Sequence, residues 1–325
     1  SSGLDSSIVS ALAAKHSTID SFTFSLGNSL NDETLHAAKI AKFLGIKNHI
    51  VSSEDIDVTS MFENLHTILS EPLGDPAALA LHMMCTSVKN FGFKVGLTGD
   101  GGDEIFGGYL DIEEQYLKYM SFKKWPIPRF FRNLSIPTKI GREIKRFSLL
   151  HDRSVSSKLD LQFLHSAGDF FGYADGAAVE RNELFELLKT NNFSDFYKMQ
   201  IQNKFAPKLD LASANSGVEL RVPLLSDTLV GLTGLRADKL KIYEELIPEN
   251  LRNYKKLGFG VNLKNMIENG GKSWVYENVN KSHHFYSKAT VRRLKVEAKA
   301  LEFGLADITF LFRHCQAISW QNAYT

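Results

Sequence analysis

Phe93-Lys94-Val95-Gly96-Leu97-Thr98, followed directly by Gly99-Asp100-Gly101-Gly102-Asp103-Glu104, reads as a strand running into a glycine-rich acidic loop. Asp100, Asp103 and Glu104 lie so close in the chain that their charges repel. They cluster only where a cation or a helix start offsets them. Working back toward the N-terminus, Ala77 to Asn90 carries a helical pattern, Ile56 to Leu69 another, and Lys47 to Ser52 a strand pattern. Asn31 is placed to cap a helix with Asp32 and Glu33 in its first turn. Ala37, Ile40, Ala41 and Leu44 form its apolar face, and Gly45 ends it. Ser21 to Leu26 alternates like a strand, and Ile8, Ala11 and Leu12 recur at helical spacing after Ser1-Ser2-Gly3-Leu4-Asp5-Ser6-Ser7. Helix and strand therefore alternate over the first ~110 residues. That order predicts an α/β fold, a parallel twisted sheet with helices on both faces that binds ligands at the carboxyl ends of its strands. Both glycine-containing loops fall at that end.

Beyond Tyr109 the pattern changes. Residues 118–155 are rich in lysine and arginine, with Pro126, Pro128 and Pro137, and read as a solvated connecting lobe rather than a phosphate or RNA surface. From residue 158 onward the apolar spacing is mostly helical, ending in Ile308, Leu311, Phe312, Cys315 and Ile318. The chain is accordingly divided into a nucleotide-binding core at 1–117 and a mostly helical region at 118–325 that completes the cleft.

Composition excludes several classes. Lysine plus arginine number 38 against 37 aspartate plus glutamate, a net charge of +1, which gives no reason to expect a nucleic-acid partner. With 43% hydrophobic residues the chain has material for a large core. Its two cysteines, Cys85 and Cys315, show neither metal spacing nor a disulfide framework and sit in apolar helical patterns as buried filler. No apolar run approaches the ~20 residues of a membrane span. A cytoplasmic enzyme is the expectation.

The loop Ser1–Ser7 has a direct chemical reading. Small residues let backbone N–H groups approach a phosphate, and the helix that follows points its positive end at the same place. The hydroxyls of Ser1, Ser6 and Ser7 add donors. Asp5 would repel a phosphate unless a divalent cation lies between them, so the loop implies Mg²⁺. A plain Ser/Gly helix-capping turn is the alternative reading of the same residues.

The segment resembles the SGGxDS pyrophosphate loop of the ATP pyrophosphatase (PP-loop, HUP-type, Rossmann-like) group, with Ser2 where that group usually has glycine. Serine is costly there if the backbone needs positive φ. Thr98 to Glu104, continuing Ile105-Phe106-Gly107-Gly108-Tyr109, resembles the (S/T)G(E/D)GxDE(L/I)FGGY signature of asparagine synthetases. Three further segments agree in order: Glu71-Pro72-Leu73-Gly74-Asp75-Pro76-Ala77 resembles EPxxDxxA. Val218-Glu219-Leu220-Arg221-Val222-Pro223-Leu224, with Lys208 and Asp210 upstream, resembles VEARVPFLD. Lys255-Lys256-Leu257-Gly258-Phe259-Gly260 resembles the KxGF loop. The chain thus resembles the C-terminal synthetase domain of glutamine-hydrolysing asparagine synthetases over nearly its whole length.

The resemblance implies an AMP-forming carbon–nitrogen ligase. ATP binds with its adenine near Phe24, and Thr98 and Gly99 border the nucleotide. Ser1, Gly3, Ser6 and Ser7 hold the phosphates, and Asp5 and Asp103 hold Mg²⁺. Asp100 supports formation of the acyl-adenylate, and Lys256 offsets charge as pyrophosphate leaves. Asp75, Glu219 and Arg221 border the substrate, although Glu219 and Arg221 equally suit a buried structural pair. The substrate is aspartate or a similar carboxylate, and ammonia comes from a glutaminase domain upstream or on a partner chain. A homodimer is allowed for. The family also expects a strand ahead of Ser1 at the sheet centre, so the sequence reads as part of a longer polypeptide that by itself releases little AMP. Two alternatives stay open: an asparagine-synthetase-like amidotransferase or cyclase acting on a sugar acid or peptide, and a nucleotide-binding remnant without catalysis.

Overall fold

Asp20–Ser25 forms β1 and Lys47–Ser52 forms β2, paired in parallel from Asp20 opposite Lys47 to Ser25 opposite Ser52. Short aromatic and β-branched residues on a pleated surface account for both. Asn48 adds a side-chain tie, its Oδ1 accepting from the hydroxyls of Ser21 and Thr23 at 2.9 Å each. The computed structural model describes residues 1–25, 33–52, 57–106, 201, 205–226, 236–252, 259–282, 286 and 288–324, all within the unit built from Ser1–Gly107 and Lys198–Thr325.

Leu4–Ala14 is helix α1, and Thr34–Leu44 is α2, which packs on both strands and ends at Gly45 in the left-handed conformation, φ 69°. That ending is the one the sequence predicts, because only glycine reverses the chain there without a Cβ clash. Val58–Glu63 (α3) and Leu65–Ile68 (α4) replace the single helix expected from Ile56 to Leu69. The break falls at Asn64, whose backbone N–H and side-chain amide both donate to the Ser60 carbonyl, at 3.1 and 2.8 Å. Ala77–Asn90 (α5) follows, then β3 at Val95–Leu97 and the short helix α6 at Gly102–Phe106.

The described residues from 205 onward are mostly helical, with one exception that matters. Ala206–Ala214 (α7) packs on α5 and leads into Glu219–Arg221, which is a strand, β4, pairing in parallel with β3. The architecture is α/β with parallel strands and mostly helical content. The four described strands form two parallel pairs, β1–β2 and β3–β4, and not one continuous sheet. Side chains connect them: the Phe22 ring meets Phe91 at 5.6 Å and Phe93 at 5.8 Å, both edge-on. The lysine- and arginine-rich residues 118–155 lie outside the described residues.

Two apolar clusters hold the site end. Ile8 and Ala11 of α1 and Ile40 of α2 close on Tyr243 and Ile247, the last turns and end of helix α8 at Arg236–Leu246. Val9 joins Ile105, Phe106 and Leu224. Lys272–Lys281 (α9), Lys288–Ala300 (α10) and Ile308–Tyr324 (α11) form a third assembly, where the Trp274 ring lies 5.0 Å from Phe62 and 6.2 Å from Phe312. Cys85 and Cys315 are free and buried, and burial pushes the Cys85 thiol up to about 12 and raises that of Cys315 further. Neither is a reactive thiolate.

His314, on α11, is buried. Burial lowers its pKa to about 4, helped by the positive charges of Arg293 and Arg313. The folded state holds it neutral, whereas an unfolded imidazole protonates below ~6.5. Stability is therefore complete above pH 6.5 and is lost as pH falls toward 4. Chemical denaturation at pH 7 and pH 5 is expected to show a loss of roughly 2 kcal/mol from this group. In His314→Gln that increment shrinks; an unchanged pH dependence would assign it elsewhere.

Candidate active site

Helix α1 opens at Gly3, which is extended at φ −64°, ψ 149°, and whose N–H donates to the Ser1 hydroxyl at 2.9 Å. The Gly3 carbonyl accepts from the Ser6 hydroxyl at 3.0 Å and the Ser7 hydroxyl at 2.7 Å, and the Ser1 and Ser6 hydroxyls lie 2.9 Å apart. The hydroxyls stiffen the loop at the N-terminus of α1, the end of a helix that suits an anion. Ser2 is buried, and its N–H donates to Glu33 Oε2 at 2.7 Å. No described non-glycine residue has positive φ, so Ser2 carries none of the strain its substitution for glycine raised.

The loop after β3 meets this turn backbone to backbone. A Cβ on Gly99 would stand 2.5 Å from Ser6 N and 2.8 Å from the Asp5 carbonyl carbon. One on Gly102 would stand 2.3 Å from Asp5 Oδ1. Gly101 adopts φ 87°, which an L side chain rarely tolerates. The glycines of this segment are thus the means by which two loops far apart in sequence come into contact. Gly99→Ala is expected to destabilise the fold by about 1–3 kcal/mol through overpacking against backbone. Equilibrium denaturation measures this, and a neutral effect would contradict the close approach.

Asp5 and Asp103 converge, and between them stands a residue the sequence reading did not single out. Lys239 Nζ lies 2.9 Å from Asp5 Oδ1 and 3.4 Å from Asp103 Oδ1, and donates to the Gly102 carbonyl at 3.1 Å. It is only 5% exposed. One signal was available: Lys239, Tyr243 and Leu246 lie on the helix face that buries against α1, and a lysine on such a face needs a fixed partner.

The remaining predicted residues separate into groups. Asp100 is half-buried in the turn between Thr98 and α6, its N–H 3.4 Å from Thr98 Oγ1, and Thr98 N donates to the Arg221 carbonyl at 3.0 Å. Phe24 is buried on β1, with the Phe259 ring edge-on at 6.1 Å, which brings the end of the KxGF-like segment to the strand predicted to face the base. Lys256 lies outside the described residues. Asp75 caps α5, Oδ1 accepting from Ala77 N at 3.0 Å. Its neighbour Gly74 is held from α11: its N–H donates to Gln316 Oε1 at 2.7 Å, and its carbonyl accepts from Arg313 Nε at 3.2 Å. The Trp320 indole donates to the Ser70 carbonyl. Glu219 and Arg221 form a pair at 2.8 Å, but about 60% exposed rather than buried. They alternate onto the same side of β4, at the strand's open surface. The hydrogen bond from Arg221 and its charge lower the Glu219 pKa, and solvent screens the pair into a minor stabiliser.

Among the described residues no three His, Cys, Asp or Glu groups gather as a metal cage. Two carboxylates on one small cation fit Mg²⁺, which takes one or two protein carboxylates and completes its shell with water and substrate phosphates. The ammonium already seated between Asp5 and Asp103 shows that the pair accepts a cation.

Comparisons with known proteins give the chain's family. The family model for asparagine synthase matches residues 1–320. Asparagine synthetase (glutamine-hydrolysing) 1 of Bacillus subtilis is 26% identical over 310 residues, covering 85% of this chain and 48% of that protein. A putative asparagine synthetase (glutamine-hydrolysing) of Mycobacterium tuberculosis is 24% identical over 339 residues, covering 90% and 49%. Asparagine synthetase (glutamine-hydrolysing) of Asparagus officinalis is 32% identical over 124 residues, covering 34% and 20%. The chain spans about half the length of the first two relatives. With the model matched almost end to end, the chain belongs to the asparagine synthase family.

Proposed function

We propose that this chain is the synthetase part of an AMP-forming carbon–nitrogen ligase, which adenylates the side-chain carboxylate of aspartate and transfers ammonia derived from glutamine to give asparagine. The supporting observation is the convergence of Asp5 and Asp103 on a single cation at the N-terminus of α1. When bound there, Mg²⁺ supplies charge neutralisation at the β- and γ-phosphates. The chain's own groups do the rest. The leading amides of α1, with the Ser1, Ser6 and Ser7 hydroxyls, orient the pyrophosphate portion of ATP. Thr98 and Gly99 border the nucleotide, and Phe24 packs near the base. Asp100 and Lys256 are assigned to formation of the acyl-adenylate, Lys256 opposing the charge that develops as pyrophosphate leaves. Asp75, Glu219 and Arg221 are assigned to the substrate side. Catalysis of this kind is positioning and charge stabilisation, and it needs water kept from the activated acyl group. The chemistry suits a cytoplasmic enzyme, and no described helix is long and apolar enough to cross a membrane.

The test measures AMP and pyrophosphate released from ATP by the polypeptide as its gene encodes it, with Mg²⁺ and either glutamine or an ammonium salt. Aspartate, a uronic acid and a carboxylate-bearing peptide are supplied in parallel. Release with aspartate supports the assignment. Release only with the sugar acid or peptide keeps the chemistry and reassigns the acceptor. Nucleotide binding with no pyrophosphate under any condition refutes catalysis.

A further inference from the structure

The site holds a buried cation that the proposed reaction does not use. Lys239 reaches Asp5, Asp103 and the Gly102 carbonyl from a helix whose Tyr243 and Ile247 pack on Ile8 and Ala11 of α1, the helix that carries Asp5. Its stem passes the Phe106 ring, with Nζ 5.9 Å from the centroid. Both the lysine and the turn it grips are therefore anchored in the same core.

Two carboxylates brought together in a water-poor place are costly unless a cation joins them. The ammonium fills that role at 2.9 and 3.4 Å, an ordinary salt-bridge span. Mg²⁺ binds carboxylate oxygen at about 2.0–2.1 Å and needs the same oxygens. Both cations cannot occupy the space between the two side chains. With Lys239 in place the trio carries a net single negative charge, and an incoming metal must also displace the lysine from both carboxylates. A bound triphosphate changes that balance: it adds oxygen ligands for the metal and offers the displaced ammonium a new partner.

We propose that Lys239 is a resident counter-ion that holds Asp5 and Asp103 together and keeps the site closed to metal alone, so that a divalent cation enters only together with a triphosphate. Lys239 is a positioning residue in this scheme, acting through the two carboxylates. The inference rests on the nucleotide reading of the site for its second half and on geometry alone for its first.

The experiment titrates Mn²⁺, without nucleotide, into the full polypeptide and its variants, following bound ion by electron paramagnetic resonance and melting temperature in parallel. Wild type is expected to bind Mn²⁺ alone weakly and to melt at the same temperature with metal or chelator. Lys239→Met is expected to bind Mn²⁺ alone at least 10-fold more tightly, to melt lower in chelator, and to regain stability with Mn²⁺. Asp103→Asn added to it removes the gain. Lys239→Arg, which keeps the charge, serves if the methionine variant fails to fold; Mn²⁺ alone binds it as weakly as wild type. Equal Mn²⁺ affinity in wild type and Lys239→Met, or tight binding by Lys239→Arg, overturns the proposal. A separate arm adds Mn²⁺ with α,β-methylene-ATP to wild type. Tight ternary binding supports metal entry with the triphosphate. Its absence, beside a gain in Lys239→Met, rejects the nucleotide reading and the second half of the proposal while leaving the counter-ion role standing.

Discussion

Asp103→Asn is expected to lower ATP–pyrophosphate exchange by about 100-fold or more, the scale at which removing one preorganised charge-stabilising group is felt. Asp103 sits in α6, 16% exposed, with Lys239 Nζ at 3.4 Å and Asp5 held by the same ammonium. An asparagine keeps the shape and one acceptor oxygen but not the charge. Metal held by Asp5 alone would be weaker, and Lys239 would shift wholly to Asp5. Stability should move little, since the removed carboxylate repelled Asp5 as well as attracting Lys239. Exchange, melting temperature and nucleotide affinity measured together separate these effects. A variant that folds like wild type and exchanges within a few-fold of its rate would remove Asp103 from the chemistry.

The second large effect is on the fold, away from the site. Phe312→Ala is expected to cost about 3–5 kcal/mol, the usual range for deleting a fully buried aromatic ring. Phe312 is fully buried on α11, next to Trp274, which in turn stacks near Phe62. With a large ring beside it and no exposure, the site is expected to collapse only partly. Against a typical total stability of 5–15 kcal/mol this is a large fraction. Urea denaturation should show a lower midpoint with little change in slope. A loss under about 1 kcal/mol would mean that the helices around Trp274 repack freely. Because α11 also holds Gly74 through Arg313 and Gln316, residual folded enzyme is further expected to show a weaker grip on the loop that carries Asp75.

Much of this protein could be read before any coordinates. Strand β2 and helix α5 begin and end where their patterns predict, and Gly45 ends α2 as a left-handed cap. Those features depend on neighbours in the chain: period-2 or period-3.6 burial, a glycine after the last apolar residue. The glycine-rich acidic loop was legible for a related reason. Glycines set at fixed offsets announce close backbone approach, whatever surrounds them.

Contacts between distant segments were not legible. The helix expected over 56–69 breaks at Asn64, whose side chain adds a bond to the Ser60 carbonyl, and periodicity does not register such a bond. Strand β4 emerged within a helical stretch because β3 offered it an edge. Glu219 and Arg221 were placed by that pairing on an exposed surface, where the sequence reading had left a buried pair open. Lys239 shows the division most clearly. Its sequence context is a polar helix start like many others, and only the packing of Tyr243 and Ile247 on α1 carries its ammonium to Asp5 and Asp103. Local patterns specify elements and loop chemistry because those energies act between near neighbours. Which charge meets which is decided by long-range packing, whose partners no single segment encodes.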